Sequence, residues 1–211
     1  MVLKGQFLER STLIPVGDEV MEGTAHRGEK RPPLLFIPPR PEEGGGMDHV
    51  IAAELVWAAA TAGFPTLRFN YRGVGASQGS RGTGEALVQD AEAAMRVLLE
   101  NAQCSSLAVA ALHGGAQVAL ALQARHPAVG GLCLVTPKDV ELSALARLDR
   151  SLLVVVGEED KSLSRAALSA AVGETPRGEL EVVEDAGATF HRNLPQVGRF
   201  LAGWLKRLSG E

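Results

Sequence analysis

The 211-residue chain has little that would cross-link it or hold it in a membrane. Its two cysteines, Cys104 and Cys133, lie beside apolar runs, which predicts two reduced, packed thiols and no disulfide scaffold. No stretch of about 18 apolar residues occurs, so we expect no membrane span. The first ten residues lack a long apolar segment before a small-residue cleavage site. We therefore expect no signal peptide and a cytoplasmic location.

An excess of positive charge is also missing. The 21 Lys and Arg residues are outnumbered by 25 Asp and Glu residues, and the basic residues form no cluster, so nucleic-acid binding is not expected. Aromatic residues make up only 4% of the chain, but 45% is hydrophobic, which is enough for a core without disulfide or metal staples. These numbers predict one domain over residues 1–211.

Short apolar runs alternate with longer amphipathic patterns along the chain. The runs are continuous rather than alternating, which is typical of strands covered by helices on both faces. The predicted strands are residues 11–16, 19–26, 33–37, 65–70, 106–111, 131–136, 152–157 and 180–184. The predicted helices are residues 48–62, 84–100, 114–125, 162–172 and 194–208.

This alternation predicts an α/β fold with a mostly parallel, twisted sheet of about eight strands and helices on both faces. No helix separates the first two strands, so we expect an antiparallel hairpin at one edge. Residues 137–150 are too few for a lid domain between the sixth and seventh strands. Ligands bind beyond the carboxyl ends of the strands in such sheets, so the loops there are the places to look for chemistry.

Two of these loops carry a resemblance to a known family. Residues 38–41 read Pro-Pro-Arg-Pro, residues 44–48 read Gly-Gly-Gly-Met-Asp, and residues 70–77 read Asn-Tyr-Arg-Gly-Val-Gly-Ala-Ser. The last two segments resemble the Gly-Gly-Thr-Met-Asp and Phe-Arg-Gly-Val-Gly-x-Ser motifs of the α/β-hydrolase superfamily, in its small, lidless, dienelactone-hydrolase-like bacterial branch. The resemblance covers nearly the whole chain and implies that fold and a bacterial source.

The same resemblance implies where a catalytic triad would stand. In the family the nucleophile occupies a sharp strand-to-helix turn, Gly-x-Ser-x-Gly, and the acid and the histidine follow it in the chain. Here that turn, residues 111–115, holds His113 in place of the serine. Asp160 falls at the acid position, Phe190 falls at the histidine position, and His191 comes one residue later. We interpret His113, Asp160 and His191 as vestigial catalytic positions.

The remaining candidate residues concern binding. The backbone amides of Gly114 and Arg40 would form the family's oxyanion hole, which could bind an anion or a carbonyl oxygen without turnover. Gly115 is the glycine of the turn motif that is kept, and Phe190 lies at the edge of the same expected groove. Arg72 is expected to hold loops together by hydrogen bonds. His26, His49 and His126 are expected at the surface or at helix caps.

The favoured hypothesis is a catalytically degenerate α/β-hydrolase-fold protein that binds a small-molecule ligand or a protein partner. One alternative is an active hydrolase of small esters, lactones or thioesters with a non-standard catalytic set, and another is a structural interaction module such as a homodimer. No cofactor is expected, since the glycines at residues 73–75 lack the spacing of a dinucleotide fingerprint. A divalent metal site formed by His113, Asp160 and His191 stays open as a further alternative.

Overall fold

Eight strands form one sheet in the computed structural model, which describes residues 8–162 and 164–211. The strand order is β1-β2-β4-β3-β5-β6-β7-β8. The strands are β1 (Arg10–Val16), β2 (Glu19–His26), β3 (Leu34–Ile37), β4 (Thr66–Phe69), β5 (Leu107–Leu112), β6 (Val129–Val135), β7 (Ser151–Gly157) and β8 (Gly178–Val183).

The pairing of these strands confirms the predicted sheet. β1 and β2 form an antiparallel hairpin at one edge, and β2 is also antiparallel to β4. The other five pairings are parallel. The carboxyl ends of β3 to β8 therefore point to the same end of the sheet, where their loops can meet.

All five predicted helices are present, with one short addition. They are α1 (Val50–Thr61), α2 (Glu85–Ala102), α3 (Gly115–Arg125), α5 (Arg165–Glu174) and α6 (Leu194–Ser209), and the addition is α4 (Leu142–Ala146). Helix α4 occupies the segment between β6 and β7, so no lid forms there. Over residues 8–162 and 164–211, no helix has both the length and the apolarity needed to cross a bilayer.

The start of α5 differs from its prediction. The predicted start at Ser162 is wrong because the carboxylate of Asp160 accepts a hydrogen bond from the Ser162 amide at 2.9 Å and forms a separate turn. The helix begins after Ser164, whose hydroxyl accepts from the Ala167 amide. Leu163, which the predicted helix included, lies outside the described residues.

Both faces of the sheet are buried, which explains the continuous apolar runs. Alternate residues of β5 face opposite sides: Leu107, Val109 and Ala111 join the core under α2 to α5, while the residues between them join the core under α1 and α6. Helix α6 is anchored by Trp204, which is fully buried and donates from Nε1 to the Ser151 hydroxyl at 2.9 Å. The core thus holds the strand ends rigidly beneath the loops.

Truncating Leu201 tests this packing. Leu201 is fully buried in α6, whereas Leu13 on the edge strand is 74% exposed. We expect Leu201→Ala to lower the free energy of unfolding by about 2–5 kcal/mol, because it leaves a cavity. Leu13→Ala, the matched control, is expected to change it by less than about 1 kcal/mol. Urea unfolding followed by circular dichroism measures both, and equal losses would contradict the assigned orientation of α6.

Candidate active site

The turn between β5 and α3 has the geometry of a strand-to-helix elbow. His113 lies at its tip with φ 51°, in the left-handed region that non-glycine residues seldom adopt. Its amide donates to the Val135 carbonyl at 3.1 Å, which ties the turn to the end of β6. A side chain at Gly114 would collide with Arg40 and Glu43, and one at Gly115 would collide with the Pro38 carbonyl. The two glycines therefore allow the loop after β3 to approach the elbow.

The His113 ring is half-buried and held by Thr136, the first residue after β6. Nδ1 lies 3.2 Å from the Thr136 carbonyl and 2.9 Å from its hydroxyl. Because a carbonyl oxygen only accepts, the first contact places the proton on Nδ1 and leaves the lone pair of the neutral ring on Nε2. Nε2 has no hydrogen-bond partner in the described part of the chain.

A second imidazole lies beside the first. The His49 ring is edge-on to the His113 ring, with 6.1 Å between the ring centroids. Nδ1 of His49 accepts a hydrogen bond from the Ile51 amide at 3.2 Å and caps α1, as predicted for this residue. Burial lowers the pKa of each histidine below its ordinary value, and the neighbouring His113 ring lowers the pKa of His49 further. Both shifts favour the neutral form of the rings.

The two amides expected to form an oxyanion hole converge, and they hold a carboxylate of the protein itself. The Arg40 amide donates to Oε2 of Glu43 at 3.0 Å, and the Gly114 amide donates to the same oxygen at 3.1 Å. These amides belong to the loop after β3 and to the residue after the elbow tip, which are the two sources of an oxyanion hole in this fold. The Glu43 carboxylate thus fills the position that a substrate oxyanion would need.

Arg40 keeps that carboxylate in place. Its Nη2 lies 3.5 Å from Oε1 of Glu43 and 2.7 Å from Oδ2 of Asp139, and its Nη1 donates to Gln117 at 3.2 Å. Gln117 in turn donates to the Asp139 carbonyl. Arg40 therefore links the loop after β3 to α3 and to the loop after β6. The guanidinium and the backbone of the same residue hold both oxygens of Glu43.

The predicted acid position lies near His113 without touching it. Asp160 follows β7, and its carboxylate is engaged with Ser162. It lines a cavity of about 10 Å³ together with Thr136, the residue that holds the His113 ring. The charge of Asp160 slightly opposes the lowering of the His113 pKa that burial causes. Asp160 therefore acts on His113 only through its charge, because Thr136 makes the hydrogen bonds to Nδ1 of the His113 ring.

The predicted histidine position has no imidazole in reach of the elbow. Phe190 is fully buried in the core under α1 and α6, with φ 52°. His191 is exposed and makes no contact with His113, whose ring meets Thr136 and His49. Within residues 8–162 and 164–211, no group of three or more His, Cys, Asp and Glu side chains is placed to hold a metal ion. The structure therefore gives no support to the metal alternative.

Arg72 and two of the other histidines have structural roles. The Arg72 guanidinium pairs with Asp90 at 2.5 Å and with Glu19 at 3.3 Å, which holds its loop against α2 and β2. The surface or cap position expected for His26 is wrong, since this residue is 5% exposed and bonded to the Thr66 hydroxyl at 3.0 Å. His126 does cap α3 and pairs with Glu92.

A shallow groove of about 370 Å³ is lined by His49, the neighbour of His113. Its walls are the glycine-rich residues 44–49 and, opposite them, Asn70, Val74 and Gly75. Asn70 sets its width by accepting from the Met47 amide at 2.7 Å and donating to Glu22 at 2.7 Å. Because His49 belongs to one wall, a ligand in this groove would lie next to the elbow.

The sequence prediction missed Glu43 and the position of His49. Glu43 lies three residues after Arg40 with Pro41 between them, and its carboxylate accepts from the Arg40 amide at the start of the short 3₁₀ turn Pro41–Glu43. A glutamate at the third position of a turn commonly reaches back in this way, and proline is common at the first position. This spacing could have predicted that Glu43 turns back toward the Arg40 amide. It could not have predicted that the Gly114 amide donates to the same carboxylate oxygen.

Comparison with solved structures places this architecture in a class. A protein of unknown function from Agrobacterium tumefaciens, provisionally classed as an α/β hydrolase, is 26% identical with a TM-score of 0.81 over 96% of this chain and 97% of that one. An α/β serine hydrolase homologue from Coxiella burnetii is 25% identical, with a TM-score of 0.80 over 92% and 96%. A lidless α/β serine hydrolase from Xanthomonas campestris is 21% identical, with a TM-score of 0.77 over 96% of each chain.

The chain is therefore an α/β-hydrolase-fold protein without a lid. Its structural relatives are the lidless bacterial homologues of serine hydrolases, as the loop motifs predicted. An uncharacterised protein from Rickettsia prowazekii is 31% identical over 107 residues. That match spans 50% of this chain and 45% of the Rickettsia protein, which is less than half the length of that relative. No protein-family model matches the chain.

Removing the Glu43 carboxylate tests its role at the elbow. We expect Glu43→Ala to lower the free energy of unfolding by about 1–3 kcal/mol, because two amides lose a charged acceptor. Glu42→Ala is the matched control: its half-exposed side chain contacts only the Arg40 guanidinium, so a loss of about 0–1 kcal/mol is expected. Guanidinium unfolding measures both, and a larger loss for Glu42→Ala would contradict the assignment.

The buried imidazole of His113 should make stability depend on pH. Its pKa is lowered in the folded protein, whereas the unfolded chain takes up a proton near pH 6.5. The free energy of unfolding should therefore fall on acidification from about pH 7.5 to 5.5, and less so in His113→Asn, where asparagine tolerates the positive φ. Titration of the ring proton by NMR checks the cause, and a His113 pKa at or above the ordinary value would refute it.

Proposed function

We propose that this protein is a catalytically degenerate α/β hydrolase that binds a small ligand in the groove beside His113. The observation that carries the proposal is the position of Oε2 of Glu43, which accepts hydrogen bonds from the Arg40 and Gly114 amides. A substrate carbonyl cannot develop negative charge at that point while a carboxylate occupies it. The localisation of the protein in the cytoplasm stays a prediction.

Acyl transfer of the serine type needs a hydroxyl, a base that takes its proton and an acid that orients the base. The elbow tip supplies an imidazole, the histidine position supplies a buried phenyl ring, and the acid position is occupied by an aspartate engaged with a backbone amide. The nucleophilic hydroxyl and the base are therefore missing, although the main chain has the strand-to-helix elbow on which this fold carries a nucleophile.

Nearby hydroxyl groups do not replace the missing nucleophile. Thr136 is within hydrogen-bond distance of His113, but it is fully buried and faces a cavity of about 10 Å³, which is room for little more than one water molecule. The Ser77 hydroxyl donates to the Asn70 carbonyl and accepts from the Glu22 amide, so it holds the loop after β4. Neither hydroxyl is accessible to an acyl substrate.

One observation favours a second candidate, a hydrolase that uses histidine as its nucleophile. The neutral His113 ring carries its lone pair on Nε2, which has no partner among the described residues and could attack an activated ester. The filled amide pair argues against it, because the tetrahedral intermediate would lack its hydrogen-bond donors. The two candidates differ in whether His113 supports any turnover.

Hydrolysis of p-nitrophenyl acetate tests the proposal. We expect the wild-type protein and His113→Ala to give the same slow rate at equal concentration, and we expect no serine to be labelled by a fluorophosphonate probe. Enzyme-proportional hydrolysis that His113→Ala abolishes would establish the histidine-nucleophile candidate instead. Labelling at a single serine would show an active serine enzyme and overturn the proposed degeneracy.

The binding half of the proposal has its own measurement. We expect a screen of small polar fragments, read by amide shifts in NMR spectra, to yield hits that cluster at residues 44–49 and 74–75. Asn70→Ala, which loses the contacts that set the groove width, should weaken those hits. Arg192→Gln, an exposed site on another loop, is the control. Hits confined to other surfaces would contradict a ligand site in this groove.

A further inference from the structure

A cavity of about 520 Å³, open on one side, lies at the end of the sheet opposite the candidate active site. Its walls come from the start of β1, the end of β2, the start of β4 and the last turn of α2. The site around His113 lies beyond the carboxyl ends of the parallel strands, so the two regions share no residue.

The charge of this cavity differs from that of the whole protein. Arg10, Arg27 and Arg31 line it, and no aspartate or glutamate does, although the chain as a whole has a formal net charge of −4. Within residues 8–162 and 164–211, none of the three guanidinium groups lies within ion-pair distance of a carboxylate. Three unneutralised arginines around one cavity attract an anion.

One of the three arginines is held in position. Nη2 of Arg31 donates to the Ala102 carbonyl at the end of α2 at 2.7 Å, and Nη1 donates to the Lys30 carbonyl at 3.0 Å. These contacts use neutral acceptors, so the positive charge of the guanidinium stays available to a ligand. Asn101 and Gln103 add amide groups to the same rim.

Part of the cavity wall is apolar. Leu67, Leu98 and Pro65 line it, next to the polar residues Thr12 and Thr66. The volume is within the range of about 300–1,000 Å³ that small-molecule sites occupy, and it is far more than an inorganic ion needs. A lining that combines three arginines with apolar side chains suits a molecule with an anionic group and a hydrocarbon or ring portion.

We propose that this cavity, here named the arginine cavity, is a binding site for a small organic phosphate. The guanidinium groups of Arg10, Arg27 and Arg31 hold the phosphate oxygens, for which their planar, multiply donating geometry is suited. The organic portion lies on Leu67 and Leu98. The site is independent of the proposed function, because it uses none of the residues at the elbow.

Equilibrium titration with phenyl phosphate tests the arginine cavity. This probe combines a phosphate monoester with an apolar ring, and inorganic phosphate and phenol supply the two halves separately. We expect saturable binding of phenyl phosphate, amide shifts at Ala25, Ala102 and Gln103, and weaker binding at high salt. Inorganic phosphate should bind more weakly, and phenol should not bind measurably.

Among the described residues, the side chains of Arg10 and Arg27 make no hydrogen bond or ion pair, so their substitution keeps the test clear of folding effects. We expect the double variant Arg10→Gln, Arg27→Gln to weaken phenyl phosphate binding by at least about tenfold, since charged hydrogen bonds are lost. Arg192→Gln, remote and exposed, should bind as the wild type does. Unfolding curves of the three proteins confirm that each variant is folded.

Three results would overturn the assignment. These are an absence of saturable phenyl phosphate binding at millimolar concentration, amide shifts located away from the cavity, and unchanged affinity in the double arginine variant. Equal binding of inorganic phosphate and phenyl phosphate would overturn the organic ligand and leave only an anion site. None of these results bears on ester hydrolysis at the elbow, so the proposed function is tested separately.

Discussion

The hydrogen bonds to Oε2 of Glu43 are the contact on which the candidate active site depends. One carboxylate oxygen accepts from the amides of two segments that are distant in sequence, the loop after β3 and the start of α3. Such charge-assisted bonds are among the stronger ones in proteins. By joining these segments, Glu43 occupies both of the amides that an oxyanion hole would use in the proposed function.

Several neighbouring features follow from that contact. A side chain at residue 114 would displace the Arg40 and Glu43 side chains, because both approach the elbow closely. Arg40 has to balance the charge of Glu43, and it reaches Gln117 and Asp139 in doing so. Thr136 and His49 contact the His113 ring. Burial lowers the pKa of that ring, and the nearby charge of Glu43 partly opposes this shift.

The sequence predicted the sheet well because strands and loop motifs are encoded by residues that lie close together along the chain. Continuous apolar runs marked β3, β5, β6 and β7, and the loop motifs at residues 44–48 and 70–77 indicated the class of fold. The start of α5 was misplaced because two serines, Ser162 and Ser164, compete as caps and only the structure shows which one does so. The convergence of Arg40 and Gly114 on Glu43 and the pairing of His49 with His113 depend on tertiary contacts between distant residues, which spacing along a single chain does not reveal.

Three residues of the loops that follow the parallel strands have positive φ angles. His113, Thr136 and Phe190 lie in left-handed backbone, at φ 51°, 40° and 52°, and each such residue costs of order 1–3 kcal/mol unless its surroundings hold it. Backbone hydrogen bonds supply part of that support, since the His113 amide donates to the Val135 carbonyl and the Phe190 amide donates to the Gly187 carbonyl. The direction in which each side chain leaves the main chain at these positions is therefore fixed by the fold, whatever chemical group the side chain carries.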